Sequence, residues 1–200
     1  CMPLMHGAQG CASFTKVFFT RHFNDPIAVQ TTAVNDITAV IDGGDYAISE
    51  SIKNITAKVK PDLVGLFTTR LTETKGDDIK GASSLVKDIQ QMVYVNTPDF
   101  EGSIESGFAK SIEAIIEQLV ERANELDSNK ALIIPNVNLK PIEVEKIKDT
   151  IALFGYEVFS LPDISESLDG HLGLKQGALS SGGISVEDIR KLANSSLVIT

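Results

Sequence analysis

An open α/β fold, with doubly wound parallel sheets and helices on both faces, is what three features of this chain predict. Short apolar runs bounded by turn residues alternate with amphipathic stretches at helical spacing, the pattern of repeated strand–helix–strand units. Polar and conformationally special residues fall just after those runs, where open parallel sheets bind ligands. At 200 residues, 42% hydrophobic and 22% charged, the chain can bury the core of one large domain or two small ones.

Gly7 and Gly10 flank a tight turn ahead of Cys11, and Cys11 to Phe23 then carries Phe14, Val17, Phe18 and Phe19 at spacings that suit a helix packed on one side. Arg21 and His22 sit in its last turn, where positive charge is favourable, and Pro26 ends it. Ile27 to Thr32 reads as extended. Gly43-Gly44 breaks the chain before a helix from Tyr46 to Lys58, with Ile48, Ile52 and Ile55 on one stripe.

Leu63 to Thr69 is an apolar run typical of a buried parallel strand, followed by a helix over Ile79–Gln90 and a second strand at Met92–Val95. Ser103 is placed to cap a long helix ending at Arg122. The polar segment Glu125–Lys130 reads as a linker, which gives one domain over residues 1–125 and a second over 130–200.

Within the second domain the cycle restarts with a strand at Ala131–Ile134 and a helix at Pro141–Phe154. A strand at Tyr156–Ser160, a long loop through Gly183, a helix at Ser185–Ala193 and a strand from Leu197 follow. Pro141 suits the first turn of its helix and Gly155 the residue past its end. Both domains are thus expected to be Rossmann-like. The chain opens on Cys1 and stops inside an apolar run, so the second domain is expected to be incomplete, with apolar surface awaiting neighbours.

The balance of 18 basic against 27 acidic residues gives a net charge of −9, which disfavours phosphate backbones and anionic membranes. Nucleic acid and membrane are therefore not expected partners. No run approaches the roughly 20 apolar residues of a membrane span, and no basic-then-apolar leader is present, so a cytoplasmic location is expected. Two cysteines give no disulfide framework, although a Cys1–Cys11 bridge is conceivable.

Three loops at strand ends hold the candidate chemistry: residues 68–78, 96–100 and 162–183. Asp77 and Asp78 suit either a hard cation or, more simply, the start of a helix. Arg70 and Lys75 could meet an anion or pair with Glu73. His6, His22 and His171 lack a metal-binding spacing and read as hydrogen-bonded structural residues. No serine sits in a nucleophile elbow, and Gly182-Gly183 lacks the lysine of a phosphate loop.

Cys11 stays open between two readings. It is either a buried structural thiol, or a metal ligand whose thiolate the helix dipole favours. One thiolate cannot hold an iron–sulfur cluster, which takes four cysteines, so in the second case another chain must complete the site.

The run Met2-Pro3-Leu4-Met5-His6-Gly7-Ala8-Gln9-Gly10-Cys11, followed by Arg21-His22-Phe23, resembles the nitrogenase component-1 superfamily, and within it the smaller subunit of the cofactor-assembly scaffold. Further matches are Gln30-Thr31-Thr32-Ala33, Thr72 to Asp78, Val95 to Phe100, Ser106-Gly107-Phe108, Leu161 to Ser165 and Ser167 to Leu172. The resemblance extends over essentially the whole chain.

It implies a non-catalytic subunit on which the precursor of the iron–molybdenum cofactor matures, held mainly by a NifE-like partner in an α2β2 heterotetramer. It also implies that Cys11 gives one ligand to a four-iron four-sulfur cluster shared with that partner. The nitrogenase Fe protein and cofactor-delivery proteins are the further partners it suggests. A rival within the superfamily is the catalytic β-subunit, in which a further cluster cysteine follows the paired threonines of the buried strand. Here that position is Arg70, which has no lone pair for iron. Outside the superfamily, the rival is a doubly wound enzyme using residues 68–78 and 96–100 for an anionic substrate. Family members are about twice this length, with three related α/β domains.

Overall fold

The computed structural model describes residues 1–34, 44–166, 168, 179 and 182–200; His171 and most of the Ser167–Leu172 match lie outside them, as does Gly43. Two compact units emerge. Cys1–His22 and Pro26–Ser103 make the first, and the chain from Ile104, joined by Phe23–Asp25, makes the second.

The first unit is built on a four-stranded parallel sheet of β1 (Met2–His6), β2 (Gln30–Thr31), β3 (Val64–Thr68) and β4 (Met92–Val95), in the order β2-β1-β3-β4. Its helices are α1 (Gln9–Phe19), α2 (Gly44–Lys58), α3 (Arg70–Lys75) and α4 (Ile79–Val86). Strand side chains alternate between faces. Met2, Leu4, Val64 and Leu66 pack with Ile48, Ile52 and Ile55 of α2 and Ile79, Ala82 and Val86 of α4, while Met5 packs with Ala12 of α1 and Val29. Helices on both faces of a parallel sheet are the expected architecture.

Periodicity assigned no element to residues 2–6, yet they form a central strand. Pro3 disguises it, because a residue without an N–H is normally excluded from a sheet interior. The Met2 N–H donates towards β3, to the Leu63 carbonyl at 2.8 Å, so alternation turns the Pro3 nitrogen towards β2. There β2 pairs only from Leu4 onward, and Pro3 has no ladder bond to lose.

The second unit holds β5 (Asp127–Ile133), β6 (Glu157–Ser160) and β7 (Ser195–Ile199) in a parallel sheet ordered β6-β5-β7. With them are α5 (Ile104–Leu119), α6 (Pro141–Ala152), α7 (Val186–Arg190) and a 3-10 turn at Leu192–Asn194. Pro141 stands in the first turn of α6, Gly155 follows the helix with φ at 89°, and the Ser185 hydroxyl caps α7 by accepting the Asp188 N–H at 3.0 Å.

The division falls earlier than the linker expected at residues 125–130. α5 goes with the second unit, whose Glu121 N–H donates to the Arg190 carbonyl at 2.8 Å. Residues 127–130 are strand rather than linker. Asp127, Ser128 and Asn129 stay exposed, and only Lys130 is buried, its ammonium 4.4 Å from the Phe159 ring centroid and donating to the Lys191 carbonyl at 3.3 Å.

Candidate functional site

In the first sheet the chain passes from β1 out to β2, then returns across to β3 and β4, so the strand order reverses between β1 and β3. The crevice beyond the carboxyl ends of those strands is where this architecture places ligands. Here it is filled by the chain's own side chains. The Thr69 and Thr72 hydroxyls both donate to the His6 carbonyl at 3.0 Å, and a Cβ on Gly7 would lie 2.5 Å from Thr69 Oγ1. That close approach is why residue 7 is glycine.

His6 has no exposed surface and is held from both sides. Its Nε2 lies 2.9 Å from Asp77 Oδ2, and its Nδ1 lies 2.9 Å from Thr32 Oγ1. A carboxylate only accepts, so the proton sits on Nε2 and Nδ1 accepts from the Thr32 hydroxyl. The same Thr32 oxygen receives the Gly7 N–H at 3.2 Å, while the Gly7 carbonyl receives the Thr31 hydroxyl at 2.8 Å and the Val34 N–H at 3.0 Å. Ala33, in the left-handed region at φ 53°, turns the chain away after Thr32. Gly44 closes over the imidazole, since a Cβ there would lie 2.3 Å from Nε2.

Burial pushes the His6 imidazole below its ordinary value of 6.5, although the Asp77 carboxylate pulls the other way. The unfolded chain therefore takes up this proton first as pH falls. The stability that neutral His6 contributes is complete above about pH 6.5 and is lost progressively below it. Urea unfolding midpoints are expected to fall between about pH 7.5 and about pH 5.5, and His6→Asn to flatten that slope. An unchanged slope in the variant would assign the titration to other groups.

Residues 68–78 form a helix and two caps rather than a loop. Thr69 precedes α3, its N–H donating to Thr72 Oγ1 at 3.1 Å, and Gly76 ends the helix at φ 76°. Asp78 accepts the Gly81 N–H at 2.9 Å and caps α4, the simpler of its two expected roles. Asp77 instead turns inward to His6 and Lys75, whose Nζ is 3.2 Å away. Glu73 receives the Thr68 hydroxyl and, at 2.7 Å, the Asn96 amide, and Thr97 donates to Thr68 Oγ1 and to the Thr68 carbonyl. Arg70 is exposed at the first position of α3.

The loop after β6 is tied by the Lys148 ammonium, 2.6 Å from Asp163 Oδ2 and 3.1 Å from Ser165 Oγ. Partial burial works to raise the Asp163 carboxyl, but the donors on Lys148 and Ser165 outweigh it and hold it below the usual range.

Cys11 departs from this polar knot. It is the third residue of α1 and is exposed, which removes the buried structural reading. The helix spans 9–19 rather than 11–23. Instead of burying an apolar stripe it exposes one: Phe14 is 79% exposed, Val17 54% and Phe18 47%, and Ala12 alone is buried. Residues three and seven positions on share a helix face, so Phe14 and Phe18 lie along the face that carries Cys11. The first turn holds no acidic residue. Cys1 precedes β1 and Cys11 lies in the helix after it, and both thiols are free, so no bridge joins them.

The nitrogenase component 1 type oxidoreductase family model matches residues 1–200. The chain belongs to this family. Among curated relatives it is 39% identical to the nitrogenase iron-molybdenum cofactor biosynthesis protein NifN of Mesorhizobium japonicum, over 99% of this chain and 45% of the relative. It is 36% identical to NifN of Rippkaea orientalis, over 97% of this chain and 45% of that one. The chain thus spans about half the length of the NifN proteins it matches. Among solved structures, "Nitrogenase Cp1 at pH 6.5" superposes with a TM-score of 0.91 at 30% identity, over 99% of this chain and 44% of the other.

The histidine, Thr31, Thr32 and Thr72 were not singled out from sequence as one site. Each is unremarkable alone. The signal that could have joined them is that His6, Thr31 and Thr32 lie at the carboxyl ends of β1 and β2, and Thr72 in the first turn of the helix that follows β3.

Proposed function

We propose that the chain is the NifN-type subunit of a scaffold that matures the iron–molybdenum cofactor, non-catalytic itself, paired with a NifE-like subunit in a heterotetramer. Cys11 gives one thiolate to a four-iron four-sulfur cluster at the interface, and the partner supplies the other ligands and mainly holds the precursor. The observation that carries this reading is the exposed Cys11 on the same helix face as exposed Phe14 and Phe18. A bare aromatic stripe of this kind marks an interaction surface, and this reading assigns it to the NifE-like subunit.

The donor set fits a shared cluster. Of the two exposed free thiols only Cys11 stands on α1, and one thiolate there is too few for four irons; among the described residues no group of three or more His, Cys, Asp or Glu side chains could hold a metal. The absence of first-turn carboxylates keeps negative charge away from an anionic cluster at the α1 N-terminus. When bound, such a cluster supplies a redox-active iron centre. What this chain contributes is a thiolate on a fixed helix and an apolar surface that excludes water.

Arg70 counts against the catalytic β-subunit, because it stands exposed where that subunit has a further cysteine. Glu73 counts against the anion-binding enzyme. Its carboxylate takes the Thr68 and Asn96 donors that such a substrate would need, and Lys75 is turned to Asp77.

The reading is tested by replacing Phe14 and Phe18 together with glutamate in the full-length chain co-expressed with its NifE-like partner. Loss of co-purification, with iron lost in proportion, is expected. Retention of the partner at wild-type yield would place the interface elsewhere.

A further inference from the structure

Nothing in the ligand reading uses His6, although it is the most completely held side chain near the turn that leads to Cys11. We propose that His6 is a positioning residue for Cys11: it orients the Thr32 hydroxyl that receives the Gly7 N–H, and so sets the turn from which α1 departs. The inference rests on the reading of Cys11 as a cluster ligand.

The chain of donors is directional at every link. Asp77 Oδ2, 2.9 Å from Nε2, fixes the tautomer by accepting its proton. Nδ1 is then an acceptor, and the Thr32 hydroxyl proton points at it over 2.9 Å. That orientation leaves a lone pair of Thr32 Oγ1 for the Gly7 N–H at 3.2 Å. Thr32 is itself fixed by its own N–H, which donates to the Met5 carbonyl at 3.0 Å. Two residues after Gly7 the helix begins, and a short helix cannot change the position of its third residue without moving its first turn. Within its own chain α1 buries only Ala12, so its placement before the partner docks depends on the turn that precedes it.

The test separates the hydroxyl from the volume. In the full-length chain assembled with its NifE-like partner, Thr32→Val removes the hydroxyl at nearly constant size and Thr32→Ser keeps it. His6→Asn retains an acceptor near the Nδ1 position, whereas His6→Gln reaches towards Asp77 and leaves Thr32 without one. Iron content is expected to stay at the wild-type level in all four. The midpoint potential and electron paramagnetic resonance g-values of the reduced cluster are expected to move in Thr32→Val and His6→Gln and to stay in place in Thr32→Ser and His6→Asn. In the metal-free chain, the Gly7 amide is expected to exchange about fivefold faster in Thr32→Val, the loss of one net hydrogen bond.

A purely structural role would lower the unfolding midpoint while leaving the potential and g-values unmoved, and would overturn the proposal. Should Thr32→Val not assemble, the His6→Asn and His6→Gln pair and the Gly7 exchange rate decide. Cys11→Ala run alongside separates the two readings. If it keeps its iron and spectrum, the ligand assignment falls, while wild-type Gly7 exchange in Thr32→Val would sink the positioning chain whatever Cys11 does.

Discussion

Gly7→Ala is expected to destabilise the protein by about 1–3 kcal/mol, and Gly10→Ala, three residues on, to stabilise it by up to about 1 kcal/mol. A Cβ at residue 7 would lie 2.5 Å from Thr69 Oγ1 and 2.7 Å from its Cγ2, both in a side chain that is buried and anchored to the His6 carbonyl. Thr69 cannot retreat without giving up that bond and the start of α3. At residue 10 a Cβ meets nothing within 4 Å, and the backbone is helical. Alanine there reduces the freedom of the unfolded chain and suits the helix. Urea unfolding followed by far-ultraviolet circular dichroism checks both. Equal effects of the same sign would show that the turn is set by something other than the contact with Thr69.

These two glycines also show how far the sequence could be read. Both look like turn residues, and only the fold reveals that Thr69, far along the chain, occupies the space at one of them. The α2 stripe of Ile48, Ile52 and Ile55 and the β3 run were legible because their periodicity reports burial directly. The same rule misled at α1. Phe14, Val17 and Phe18 have core-like spacing, but a pattern of apolar residues states only that something covers them, not that this chain does. β1 was hidden by Pro3, and the tie from Thr32 through His6 to Asp77 was hidden because its members are separated by tens of residues and meet only when the ends of β1 and β2 and the link between α3 and α4 come together.

The second large effect concerns iron. On the ligand role proposed for Cys11, an exposed thiol at the head of a bare aromatic face, its removal leaves the shared cluster one of its four sulfur ligands short. A cluster missing a thiolate either recruits a weaker ligand, with a changed spectrum, or is lost from the interface. Cys1 provides the internal control, since it is also an exposed free thiol but stands at the opposite end of β1. Replacing it leaves the polar knot, the Gly7 turn and α1 untouched. The contrast between the two cysteines therefore isolates position from mere thiol content.

The most direct measurement is iron per heteromer, together with the spectrum of the reduced cluster, in anaerobically purified complexes carrying Cys11→Ala or Cys1→Ala in the full-length chain. Iron and signal lost or altered in Cys11→Ala and intact in Cys1→Ala is the predicted result; wild-type iron and an unchanged spectrum in Cys11→Ala would contradict it.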